Sequence, residues 1–190
     1  MSPQLPTQAD TVFEVIRTRR VTRNFTGEPV SEEDLRRVLE AARWAISAGN
    51  RRIHKFIVVR NSATIQLIRA VSPGMLALPT ALIIICTDMD KAAREQVQLD
   101  RDSTTWIDVG AAAMSMIIMA HALGLGTCPT TSFSRSGVST VLELPPSVVP
   151  EFILQLGHPA PQVRVMRPGV STRLRVEDFT FWERYGRTTP

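Results

Sequence analysis

Residues 109–123 (VGAAAMSMIIMAHAL) constrain the fold of this chain most. A helix that is apolar on nearly every side cannot lie on a surface, so this segment belongs at the centre of a core or against another chain. It is shorter than the run of about 18 apolar residues that marks a membrane span. It also carries His121, and Gly124 and Gly126 stand ready to end it. The pattern predicts a helix over 104–123. With 190 residues the chain can bury one such core, and a single domain over 1–190 is expected.

The flanking segments supply layers for that helix. Asp10 reads as the N-cap of a helix over 10–19, with Val12, Val15 and Ile16 on one face. Residues 24–30 read as a turn. Ser31 caps a second helix whose first turn holds Glu32, Glu33 and Asp34, and Leu35, Val38, Leu39 and Ala42 carry its stripe to about Trp44. Residues 56–59 and 151–156 read as strands, and 81–86 (ALIIIC) as a buried one. Residues 61–71 and 134–142 read as helices, 157–170 as a Pro/Gly-rich loop, and a last helix is expected from 177. Residues 1–9 are expected to be flexible, and the polar 90–101 segment is a candidate lid. Helices outnumber strands without regular alternation, which predicts an α+β fold with a small sheet covered by helices.

Several chemistries are excluded. The sequence has no Gly-x-Ser-x-Gly elbow, no dinucleotide fingerprint and no P-loop. Cys86 and Cys128 make neither a disulfide framework nor a metal spacing, and His54, His121 and His158 share no metal spacing. The first ten residues show no secretory pattern, so a reducing cytoplasm is expected.

The charge is more informative. The net charge is +4, and only Lys55 and Lys91 of the 22 basic residues are not arginine. Residues 1–60 carry 11 basic against 7 acidic groups, and residues 161–190 carry 6 against 3. Arginine forks at both ends suit phosphate, nucleic acid or an acidic partner. Four segments are candidates. Arg17, Arg19, Arg20 and Arg23 close the first helix, either as a solvated helix end or as a phosphate grip. Ser47-Ala48-Gly49-Asn50-Arg51-Arg52 is a small-residue loop that admits a ligand close to its backbone, or a plain connection. Residues 124–133 (GLGTCPTTSF) read as a hydroxyl-rich loop. Arg164, Arg167, Arg173 and Arg175 form a basic stretch near the C-terminus.

Four stretches in register resemble the FMN-dependent nitroreductase family: VIRTRRVTRNF (15–25), PVSEEDLRRVLEAARWAISAGNRRIHKFIVV (29–59), DVGAAAMSMIIMAHALGLGTC (108–128) and FILQLGHPAP (152–161). The resemblance implies a three-layer α+β fold with a small, mostly antiparallel sheet, dimeric through the long central helix. It implies FMN at the subunit interface, NADH or NADPH as electron donor, and small acceptors such as nitroaromatics or quinones reduced by a ping-pong mechanism. Arg19, Arg20, Val21 and Arg23 match the family's Arg-Arg-Ser-x-Arg/Lys segment, the first Arg on the FMN phosphate and the last basic residue by the pyrimidine edge. Ser47, Gly49 and Asn50 match its Pro-Ser-x-x-Asn loop, with Ile46 in place of Pro. Arg52-Ile53-His54 stands where Gln-Pro-Trp is usual. Thr131 and Ser132 match positions whose backbone approaches flavin N5, and Arg173, assisted by Arg175, matches a C-terminal phosphate ligand. No catalytic side chain, metal, nucleic acid or membrane partner is implied. A flavin-dependent dehydrogenase or oxidase in biosynthesis, and a non-catalytic flavin- or nucleic-acid-binding protein, are the competing readings.

Overall fold

The computed structural model describes residues 6–97, 104–161 and 175–189. Four strands form one antiparallel sheet in the order β1-β2-β4-β3: β1 (His54–Val59), β2 (Ala81–Asp88), β3 (Gly126–Thr130) and β4 (Val148–Gly157). The helices are α1 (Gln8–Thr18), α2 (Glu32–Arg43), α3 (Ser62–Ala70), α4 (Met89–Arg94), α5 (Thr104–Ala122) and α6 (Arg135–Val141).

The alternation of β2 explains its unbroken apolar run. Ile83 and Ile85 face one cluster with Leu35, Val38, Val109, Met116 and Leu154. Leu82, Ile84 and Cys86 face another with Ile65, Ile68, Val138 and Ile153. Successive strand side chains point to opposite faces, so a strand buried on both faces must be apolar throughout. The result is three layers: α2 and α5, the sheet, then α3 and α6. The central helix falls where its composition demanded, with Val109, Ala112, Ala113, Met116, Ile117 and Ala120 buried. By length and composition alone Thr105–Ala122 could cross a membrane; here that buried face packs on α2 and the sheet.

Local chemistry sets the ends. Ser31 Oγ accepts from Asp34 N at 3.0 Å and caps α2 as expected. At α1 the cap is Thr7, not Asp10: Thr7 Oγ1 accepts from Asp10 N at 3.1 Å, and Asp10 Oδ2 accepts from Thr7 N at 3.0 Å. This reciprocal box satisfies two helix-end donors, which a cap at Asp10 could not do.

Two further expectations are corrected. Residues 126–130 are strand β3, not loop; Pro129 is tolerated because β3 is an edge, where a missing N–H costs no ladder bond. A β-bulge between Ile85 and Cys86 similarly accommodates Pro150 in β4. The helix expected from 177 is one 3-10 turn, Val176–Asp178, and no residue of 175–189 is buried. A short helix without a face to bury has too little to offset its nucleation. The candidate lid contributes α4, capped by Asp88; its residues 98–101 lie outside the described residues, as do residues 1–5 and the loop over 162–170.

Gly126 carries the contact that locks the N-terminal arm to the sheet. A Cβ there would lie 2.6 Å from the buried Thr22 side chain. Gly126→Val is expected to cost about 1–3 kcal/mol through overpacking. Urea unfolding checks this as a lowered midpoint at unchanged slope.

Candidate functional site

The chain leaves α1 and runs along the outer edge of β3. Thr22 N donates to Thr127 O at 2.8 Å, and Val21 bridges Thr127 in parallel. A parallel run places Arg23 alongside the Cys128–Pro129 end of β3, and the Arg23 charge is felt at the Cys128 thiol. Thr131 and Ser132 follow β3 and are exposed. Ser132 O accepts from Gly74 N at 3.0 Å, so the turn after α3 braces this loop.

The arginines there are not equivalent. Arg17 pairs with Glu14 at 2.7 Å. Arg20 Nη1 donates to Arg17 O at 2.7 Å and to Arg19 O at 2.8 Å, closing the C-terminal end of α1. Among the described residues, the guanidinium groups of Arg19 and Arg23 have no hydrogen-bond or ion-pair partner. Arg23 lies along the edge of β3 that leads to the exposed Thr131 and Ser132, and Arg19 stands at the end of α1 two residues before Val21; unpaired guanidinium groups of this kind suit an anion.

The second group lies at the other end of α5. Ser47 is extended (φ −144°, ψ 144°) and leads into a 3-10 turn, Ala48–Asn50. Gly49, Asn50 and Arg52 all have positive φ, at 58°, 54° and 50°. For two non-glycine residues this is backbone strain held by the surroundings, a pattern that clusters at ligand sites. Ala48 N donates to Asp108 at 3.0 and 3.1 Å from its two carboxylate oxygens, and Arg52 Nε donates to Asn50 Oδ1 at 2.9 Å.

A cavity of about 250 Å³ opens beside this loop, lined by Leu39, Ser47, Arg52, His54, Phe56 and Asp108 among others. Neither ring nitrogen of His54 finds a hydrogen-bond partner. Burial pushes its pKa below the ordinary value, against the Asp108 charge and a weaker pull from the Cys86 main chain, which lies outside hydrogen-bonding geometry. His54 is thus held neutral. Burial drives the Cys86 thiol up to about 12, with the Glu151 charge adding to it. Burial also raises Cys128, and Arg23 only partly opposes this. Neither sulfur is a nucleophile near neutral pH. Among the described residues no cluster of three metal-ligating side chains occurs.

The structure therefore lays Val21 and Arg23 along the edge of β3 that leads to Thr131 and Ser132, with Arg19 at the end of α1 just before them, and sets Ser47, Gly49 and Asn50 in a separate loop. Asp108 holds that loop. His121 sits at the opposite end of the same helix: its Nε2 is 2.9 Å from Thr18 Oγ1. The single Thr18 hydroxyl proton goes to Glu14 O at 2.6 Å, so His121 Nε2–H is the donor to Thr18. Thirteen residues of helix separate Asp108 from His121, about 20 Å along the axis. One chain does not join the two groups. Arg175 is exposed and pairs with Asp178 of its own turn at 3.6 Å, and Arg173 lies outside the described residues. Sequence reading missed Asp108 and Gly74. Asp108 looked like a surface or capping acid, and its only signal was its place on an otherwise apolar helix.

Residues 16–81 and 72–158 match the Nitroreductase family. A Methanothermobacter thermautotrophicus protein named NADH dehydrogenase/NAD(P)H nitroreductase is 31% identical over 156 residues, 78% of each chain. The FMN reductase (NAD(P)H) of Bacillus subtilis is 28% identical over 164 residues, covering 78% of this chain and 66% of that one. The solved structure of the oxidoreductase YcnD from Bacillus subtilis superposes with a TM-score of 0.77 at 27% identity, over 92% of this chain and 74% of that one. The chain belongs to the nitroreductase family.

Two outcomes follow from the buried groups. Native protein at about pH 8 should react with a thiol-specific disulfide reagent at least about tenfold more slowly than denatured protein, which releases both thiols. His54 favours its neutral form in the fold, so the unfolded chain takes up a proton at higher pH than the folded one. Its stabilising contribution is complete above about pH 6.5 and is lost as pH falls through the lower folded pKa. His54→Phe should show a smaller drop in melting temperature than wild type between about pH 7.5 and pH 5.

Proposed function

We propose that this member of the nitroreductase family is an FMN-dependent oxidoreductase that draws electrons from NADH or NADPH. Its acceptors are nitroaromatics, quinones or similar small molecules, reduced in a ping-pong cycle. The observation that carries this reading is the pair of guanidinium groups, Arg19 at the end of α1 and Arg23 along the edge of β3, that are unpaired among the described residues. Buried or paired arginines would have argued for a structural role. These two are left available for an anion, while Arg17 and Arg20 are already taken.

The residues present fit a flavin mononucleotide. Arg19 suits its phosphate, with Arg20 behind it as the end of α1. Arg23 suits the pyrimidine edge, where a positive charge stabilises electron density gained on reduction. Thr131 and Ser132 offer backbone and hydroxyl groups beside it. Val21 contributes no hydroxyl where the family often has serine. Arg173 and Arg175 are proposed as further phosphate ligands. FMN, when bound, supplies hydride chemistry that no side chain here provides. The protein's own work is binding, orientation and water exclusion. The inert thiols and neutral His54 agree with that division of labour.

We further propose a homodimer. If Ser47, Gly49 and Asn50 serve the same flavin as Arg19, the roughly 20 Å of α5 between the groups must be spanned by a second copy. Packing α5 antiparallel on its counterpart would bring the loop of one protomer to the arginines of the other. The exposed Trp106, Ile107 and Met114 on α5 supply an apolar face for that contact.

An absorption spectrum tests the reading. Purified protein incubated with FMN should retain flavin bands through gel filtration and lose them on anaerobic addition of NADPH or NADH. Protein that binds no FMN overturns it. Arg19→Ala should weaken FMN binding by about 1.5–3 kcal/mol, as for a charge-assisted hydrogen bond. Fluorescence titration measures this.

A further inference from the structure

Asp108 is the one charged side chain buried among the described residues, at 7% exposure. Burying a carboxylate is costly, and a counter-ion would normally offset it. Asp108 has none within 4 Å among the described residues. Both its oxygens are instead directed at a single main-chain donor, Ala48 N.

That donor is the first N–H of the 3-10 turn. It has no partner within the turn, and the side chain of the residue before a turn caps the second or third N–H rather than this one. Ser47 occupies that position and has the extended conformation of a cap, yet its hydroxyl makes no cap hydrogen bond. It receives only a long contact of 3.4 Å from Arg52 N. The cap is supplied from across the fold, by a helix sixty residues away in sequence. Thr105, one turn earlier on the same face of α5, is also 7% exposed, and its hydroxyl has no partner. It lines a small space with Ala48, Arg51 and Asp108. The first turns of α5 thus form a polar seat for this one loop.

We propose that Asp108 is the positioning residue of the site. By holding the first N–H of the turn, which Ser47 cannot reach as a cap, it sets the course of the exposed Gly49–Asn50 backbone, with its strained Asn50, for the ligand. This rests on the proposal that the loop contacts FMN.

Asp108→Asn keeps an acceptor oxygen and removes the charge, whereas Asp108→Ala removes the acceptor. Ala48→Pro removes the donor from the other side, at a position preceded by the extended residue that proline requires. The loop carries Arg51 and Arg52, so trypsin reports its anchoring without any flavin. Asp108→Ala and Ala48→Pro should weaken FMN binding at least about tenfold and speed trypsin cleavage after Arg51 or Arg52 to a similar degree. Asp108→Asn should stay within about threefold of wild type in both. Should Asp108→Ala fail to fold, as judged by circular dichroism, Ala48→Pro and Asp108→Asn still decide the matter. Faster cleavage with unchanged FMN affinity would make Asp108 merely structural and overturn the proposal. Loss of both properties in Asp108→Asn would overturn the capping role. If wild type itself binds no FMN, the functional reading falls, while the trypsin comparison still reads the anchor.

Discussion

Strand β2 is buried on both faces, and the rest of the fold follows from that. A strand with Leu82, Ile84 and Cys86 on one side and Ile83 and Ile85 on the other needs helices on both. Once α2 and α5 cover one face and α3 and α6 the other, neither face is open to a ligand. The polar chemistry is therefore displaced to the sheet's outer β3 edge and to the loop between α2 and β1. Arg23, Thr131 and Ser132 lie along the first, with Arg19 just before them at the end of α1, and Ser47 to Asn50 lie at the second.

Helix α5 acts as a spacer between them. One end, through Asp108, sets the geometry of the loop. The other, through His121, pins the end of α1 at Thr18, immediately before Arg19. An apolar helix thus fixes these two groups at a set separation. In the dimer proposed above, its uncovered side chains would bring the loop of one chain to the arginines of the other. Core packing, assembly and ligand geometry then share one element, so a change in the path of α5 would disturb all three.

Much of this was legible in the sequence. The apolar run of α5, the all-apolar ALIIIC strand and the Ser31 cap each pointed to one structure, because burial or hydrogen-bond satisfaction left no alternative. The basic stretch was legible as an anion site only in outline. Nothing in RTRRVTRNF distinguishes Arg17 and Arg20, which the fold occupies, from Arg19 and Arg23, which it leaves unpaired. Strand β3 was hidden by its glycine and proline, whose turn preference yields at an edge. Asp108 was hidden because its partner is a main-chain N–H remote in sequence, and no pattern of side-chain types encodes such a bond. The helix expected from 177 shrinks to a single turn because none of the described residues 175–189 finds a buried face.

Helix α1 buries no residue, and Phe13 and Ile16 remain exposed on it. Its order rests on the Thr7–Asp10 box at one end and the Thr18–His121 and Arg20 contacts at the other. Arg19 is the C-cap of that helix. An anion gripped by Arg19 would be gripped by a helix end held only by these few polar contacts, and holding the anion means holding the last turn still. Part of the gross attraction is therefore spent on ordering the chain. Occupancy and rigidity of this helix end would then rise together.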